Sequence, residues 1–209
     1  MEQQENRVVL RGTVAEEATL SPQVHGIAFS RFPLAVPRLS GREDRLNILC
    51  PHTAPEDPLP QAGAFVEVRG EVRSFNNRSG VGNRLVITVL ARELLPSAEE
   101  PCNQVVLGGV LCKPPVLRRT PLGRDICDLL LAVNRRYRRA DYLPCIAWGS
   151  LAHRCGGMEV GDQLRLTGRL QSRTYTKVSG DRSEERVAFE VSIMSLAAEV
   201  PTEKEEHTG

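Results

Sequence analysis

Gln163-Leu164-Arg165-Leu166-Thr167-Gly168-Arg169-Leu170-Gln171-Ser172-Arg173 alternates apolar and polar side chains. So does Ala64-Phe65-Val66-Glu67-Val68-Arg69-Gly70-Glu71-Val72-Arg73, about 98 residues earlier. A period of two marks a strand with one face in a core and one in solvent. The two stretches are also copies. Gly63, Gly70 and Ser74 recur at an offset of 98 as Gly161, Gly168 and Ser172. Working outward, Asn6-Arg7-Val8-Val9-Leu10-Arg11-Gly12 is echoed at an offset of 97 by Asn103-Gln104-Val105-Val106-Leu107-Gly108-Gly109. Gly26 recurs as Gly123, and Leu34-Ala35-Val36 as Leu131-Ala132-Val133. The 209 residues therefore divide into two similar halves of ordinary domain size.

Both halves read as strands. Val8 to Val14 and Asn103 to Leu111 open them, and Leu85 to Val89 and Val187 to Val191 supply their last strands. Residues 76–83 and 178–183 have the Gly, Asn and Ser chemistry of hairpin loops. Between its third and fourth strands the second half has Ser150-Leu151-Ala152-His153-Arg154-Cys155, which suits a short helix. The first half has four prolines within residues 51–60, which forbid one there. The order β-β-β-α-β is that of the oligonucleotide/oligosaccharide-binding (OB) barrel. The expected fold is mainly all-β: two tandem five-stranded OB barrels, the second with a short helix between strands three and four. The expected boundaries are a diverged, assembly-forming domain at 1–95 and a linker at 96–102. A binding domain follows at 103–200, then a disordered tail at 201–209.

Composition narrows the function. The net charge of +1 hides an asymmetry. Residues 1–102 carry 11 basic and 13 acidic side chains, whereas residues 103–200 carry 15 and 10. The single Trp and all three Tyr also lie in the second half. The six cysteines form no C-x-x-C pair and have no His at ligand spacing, so neither a metal nor a cofactor is expected, and the thiols fit a reducing cytoplasm. Cys127 and Cys145, inside apolar runs, are expected in the core. His25, His52, His153 and His207 are scattered, and no phosphate-cradling G-x-x-x-x-G-K motif is present, so the chain does not read as an enzyme. No apolar run approaches about 18 residues, and the acidic start is the reverse of a secretory leader.

The chemistry gathers in the second half. On Tyr142-Leu143-Pro144-Cys145-Ile146-Ala147-Trp148 the two rings share one face, opposite Leu143, Cys145 and Ala147. On the following strand Leu164, Leu166 and Leu170 turn inward, while Arg165, Thr167, Arg169, Gln171, Arg173 and Tyr175 turn outward. Arginines neutralise phosphates, and flat rings stack on bases whatever their sequence. In the first half Glu67 and Glu71 stand where Arg165 and Arg169 stand in the second, a face expected to repel phosphate. Phe75 is the one candidate stacking ring in that segment.

Residues 103–198 resemble the DNA-binding domain of the bacterial single-stranded DNA-binding (SSB) family. The residues that carry the resemblance are Asn103, Leu107-Gly108-Gly109, Pro115 to Gly123, Leu131-Ala132-Val133-Asn134-Arg135, Tyr142, Trp148 to Ala152, Gly161-Asp162 and Gly168 to Tyr175. The resemblance implies base stacking by Tyr137, Tyr142, Trp148 and Tyr175. Backbone contacts would come from Arg118, Arg119, Arg135, Arg136, Arg138, Arg139, Arg165, Arg169, Arg173 and Lys177. It implies sequence-independent binding of single-stranded DNA in replication, recombination or repair, in the cytoplasm with the nucleoid. By analogy with two-barrel members, residues 6–94 look like a diverged second OB, and a homodimer would hold four. The ending Glu203 to Gly209 is acidic but has no hydrophobic tip of the kind that recruits replication and repair proteins. Two alternatives stay open: an accessory, primosome-type OB protein working through protein contacts, and an RNA-binding OB protein.

Overall fold

In the computed structural model, residues 5–21, 27–52, 59–77, 83–179 and 182–197 are described, without the side chains of 177–179 and 182. The first half contributes β1 (Asn6–Val14), β2 (Thr19–Leu20), β3 (Ala28–Pro37), β4 (Glu43–His52), β5 (Phe65–Asn76) and β6 (Leu85–Pro96). The second contributes β7 (Cys102–Leu111), β8 (Val116–Arg119), β9 (Asp125–Arg135), β10 (Arg139–Trp148), helix α1 (Ser150–Gly156), β11 (Gln163–Ser179) and β12 (Arg182–Leu196). Each half closes on itself. β1 pairs with both β3 and β5, β3 with β4, β5 with β6, and β4 runs parallel to β6 at Ile48↔Val89. The second half repeats the circuit through β7, β9, β10, β12 and β11, with its parallel step at Cys145↔Val191. These are two five-stranded OB barrels, as the strand order predicts.

The repeated glycines sit where the barrels close. A Cβ on Gly12 would lie 2.2 Å from the Ala35 carbonyl oxygen, and one on its counterpart Gly109 2.5 Å from that of Ala132. Gly70 and Gly168 stand at the matching bulges of β5 and β11, where a Cβ would lie 2.1 Å from the Leu90 oxygen and 2.5 Å from the Ser192 oxygen. Only a residue without a side chain lets strands cross this closely.

Inside, Val8, Leu10, Leu34, Leu46 and Val68 are buried in one barrel, and Leu107, Leu131, Leu143, Leu166 and Leu170 in the other. Cys127 and Cys145 are buried as expected. Helix α1 places Ala152 and Cys155, three residues apart on one face, into the second core.

Three sequence-level boundaries shift. The loop expected at 178–183 is mostly ladder, paired to Ser179↔Arg182, and β12 extends well beyond 187–191. Backbone pairing sets strand length here, so the ladder continues through Glu184 and Glu185, where no apolar alternation signals it. The stretch expected as a linker at 96–102 loses both ends, because Pro96 belongs to β6 and Cys102 to β7. Nor does it hold two separate bodies together. β1 and β7 pair antiparallel from Asn6↔Leu107 to Arg11↔Cys102, making one sheet of both barrels. The tail 201–209, most of the proline-rich 51–60 segment, His25 and His207 lie outside the described residues. No described helix is long and apolar enough to cross a membrane.

Candidate nucleic-acid interface

Strand alternation on β10 puts Leu143, Cys145 and Ala147 in the core and leaves Tyr142 48% and Trp148 40% exposed. Both rings therefore stand on the outside of the second barrel. Tyr137 sits in the single 3₁₀ turn Arg136–Arg138 between β9 and β10, and is 92% exposed. Its φ of 62° and that of Arg138 at 54° are left-handed, a conformation that costs a non-glycine residue about 1 kcal/mol or more. The turn thus holds a bare aromatic ring out from the barrel with arginines on both sides. Tyr175 lies far along β11, half-buried. Its hydroxyl donates to Asn83 Oδ1 at 3.2 Å, and the Arg173 guanidinium lies 5.7 Å from its ring centre.

The arginines fall into three groups. Arg136, Arg138 and Arg139 are exposed around Tyr137 and make no ion pair among the described residues. Arg118, Arg119 and Arg165 are exposed but matched by Asp128, Asp125 and Glu5, and Arg173 lies 3.9 Å from Glu190. Exposed pairs of this kind are worth at most about 1 kcal/mol, so a phosphate can displace the carboxylate. Arg119, followed by His153, holds the Asp125 carboxyl down to about 2. Burial pushes the Glu190 carboxyl up, against Arg173.

Arg135 is different and corrects the sequence reading. Its guanidinium pairs with Asp141 Oδ1 at 2.8 Å and donates to the Ser74 carbonyl at 3.3 Å, so it is held between the barrels and is less free for phosphate than its exposed neighbours. Arg169 is half-buried, with a buried Nε that has no hydrogen-bond partner among the described residues. The Lys177 side chain lies outside the described residues, although its backbone pairs with Glu184.

Asp141 belongs to a feature the residue-by-residue reading missed. It is fully buried, and it accepts from the Ser74 amide at 2.7 Å and from Arg73 Nη1 at 2.9 Å. The Ser74 hydroxyl oxygen in turn accepts the Tyr142 amide at 2.8 Å. On the other side of the molecule Asp44, equally buried, accepts from the Ser172 amide at 2.8 Å and pairs with Arg38. Arg38 also donates to the Ser172 carbonyl, and the Arg45 amide donates to the Ser172 hydroxyl oxygen. These are one arrangement used twice, each barrel's carboxylate gripping the other's serine. The signal lay in the repeat, since Arg38 and Asp44 recur 97 residues on as Arg135 and Asp141, and Ser74 recurs as Ser172.

The acidic face expected on the first barrel is also corrected. Glu67 is only 5% exposed, between Arg11 and Arg69, and its hydrogen bonds from Arg11 and then Arg69 hold its carboxyl below the usual range. Glu71 is matched by Arg73 and Arg92. Neutralised carboxylates repel phosphate weakly. Among the described residues no three His, Cys, Asp or Glu side chains cluster as metal ligands would.

Comparison with known proteins gives this arrangement a family. The model of the single-strand binding protein family matches residues 102–196. Single-stranded DNA-binding protein 3 of Clostridium acetobutylicum is 37% identical over 101 residues, which cover 44% of this chain and 70% of that protein. The single-stranded DNA-binding protein of Thermus aquaticus is 37% identical over 112 residues, 51% of this chain and 40% of its own length. Against that protein and a Listeria innocua relative, covered to 55%, the match spans about half of the relative's length. The solved structure of the wild-type Thermus aquaticus protein superposes with a TM-score of 0.74 at 26% identity, covering 100% of this chain and 98% of that one. The chain belongs to the single-strand binding protein family.

Proposed function

We propose that the chain binds single-stranded DNA without regard to sequence, through the second barrel, and shields it during replication, recombination or repair. The observation that carries this reading is the exposure of Tyr137, Tyr142 and Trp148 on one barrel, with Arg136, Arg138 and Arg139 beside them. Folded proteins rarely leave three such rings in water, and rings with interleaved arginines suit stacked bases and their phosphates. Tyr175 extends this surface along β11, and Arg118, Arg119, Arg165, Arg169 and Arg173 supply further positive charge that phosphate can engage. A homodimer would bring four barrels to one strand, and replication or repair proteins would be its partners in the cytoplasm. No catalysis enters this role.

The test is optical, because Trp148 is the only tryptophan. Titration with oligodeoxythymidine quenches its emission, and affinity falls as salt rises because bound arginines release counterions. Replacing Tyr142 and Tyr175 together with Ala weakens binding by about 1–3 kcal/mol per lost stack. An absence of quenching and of salt-dependent binding would leave the accessory, protein-binding role in its place. Tighter binding of oligouridine would make RNA the ligand.

A further inference from the structure

We infer that the first barrel completes this surface with a fifth stacking ring, Phe75, so that the strand crosses the junction between the barrels instead of stopping at its edge. The inference rests on the function proposed above. Phe75 is 43% exposed near the end of β5. It directly follows Ser74, whose hydroxyl takes the Tyr142 amide and whose own amide is held by Asp141. The phenyl-bearing residue of one barrel is therefore one residue from a backbone tie to the tyrosine-bearing strand of the other. The Arg135 guanidinium lies 6.0 Å from the Phe75 ring centre and is itself fixed by Asp141 and the Ser74 carbonyl.

The second copy shows that the core does not require a ring at this position. Its counterpart, 98 residues on, is Arg173, whose side chain is 58% exposed. The position faces solvent in both barrels, and only the first fills it with an aromatic. A ring left half-exposed beside a fixed cation, at the edge of a surface built of other exposed rings, has the chemistry of a base platform. It also gives Arg135 a purpose that phosphate contact does not. Partly buried and paired, it holds the ring in place.

The test uses the full chain. Phe75→Ala is expected to weaken oligodeoxythymidine binding by about five- to hundredfold, the loss of one stacked base. Phe75→Tyr keeps the affinity, whereas Phe75→Leu, apolar but without a ring, does not. Carried on a Trp148→Phe background, Phe75→Trp gives an emission that the oligonucleotide quenches. If the unaltered chain binds while Phe75→Ala and Phe75→Leu bind equally well and the new emission is unmoved, Phe75 is no platform and the second-barrel surface stands alone. If the unaltered chain itself shows no quenching, both readings fall together.

Discussion

The two junctions between the barrels share one hydrogen-bond scheme and differ in what is mounted on it. At the junction of β10 with β5, Asp141 holds two arginines, Arg135 and Arg73, and the surface above carries Phe75 and Tyr142. At the junction of β4 with β11, Asp44 pairs with Arg38, Gln171 replaces Arg73, and the matching surface positions hold Arg173 and Arg45. A buried carboxylate is costly unless each of its lone pairs is met, so the scheme cannot drift. Both copies keep Asp, Arg and Ser in register. The rings face no such constraint, and they differ. One duplicated frame thus presents an aromatic junction on one side and a cationic one on the other.

The steepest way to break this comparison is to remove the carboxylates. Asp141→Ala leaves Arg135 without its carboxylate and Arg73 with Glu71 alone, the two side chains being 22% and 11% exposed. A loss of about 3–5 kcal/mol is expected, in the range measured when one partner of a buried pair is deleted. Asp44→Ala strands only Arg38 and should cost measurably less. Denaturant unfolding of both variants decides it, and equal losses would mean that Arg73 adds nothing to the aromatic junction. A smaller effect, about 1–3 kcal/mol, is expected from placing a methyl group where the barrels close. Gly70→Ala meets the Leu90 oxygen at 2.1 Å, whereas Gly168→Ala meets the Ser192 oxygen at 2.5 Å. The first barrel should therefore lose more stability than the second, and the reverse order would show that its bulge yields more readily.

The glycines, alternating strands and helix were legible because each follows from a local rule. Gly70 and Gly168 recur since any side chain there strikes a carbonyl, and Leu143, Cys145 and Ala147 turn inward as the period of two requires. Tyr142 and Trp148 fall outward by the same alternation. What local rules missed was pairing across the two copies. Arg135 looks like one more cation in Asn134-Arg135-Arg136-Tyr137-Arg138-Arg139, and only the fold brings Asp141 and Ser74 to it. Glu67 and Glu71 look like repellent charges because Arg11 and Arg92 are distant in the chain. Strand periodicity tells which way a side chain points but not what meets it there. For long arginines on a doubled barrel, that second fact decides whether the charge reaches solvent.

The gentlest test concerns Asp125, at the start of β9, which has no counterpart in the first barrel, where Ala28 stands 97 residues earlier. Arg119 and then His153 lower its carboxyl from 3.8 to about 2. A carboxylate depressed on folding stabilises the folded chain above its unfolded value, near 3.8, and that contribution disappears as pH falls through about 2. Asp125→Asn should therefore lower the thermal midpoint slightly at pH 7, and the difference from the unaltered chain should vanish near pH 2. Both partners, Arg119 and His153, are exposed, so solvent screens the pairs and the change in midpoint is small. Its consequence for binding has the opposite sign. Without Asp125, Arg119 no longer has to leave a carboxylate before meeting a phosphate, so affinity for oligodeoxythymidine should rise slightly and depend more steeply on salt. A variant that is less stable at pH 7 yet binds no more tightly would place Arg119 off the path of the strand.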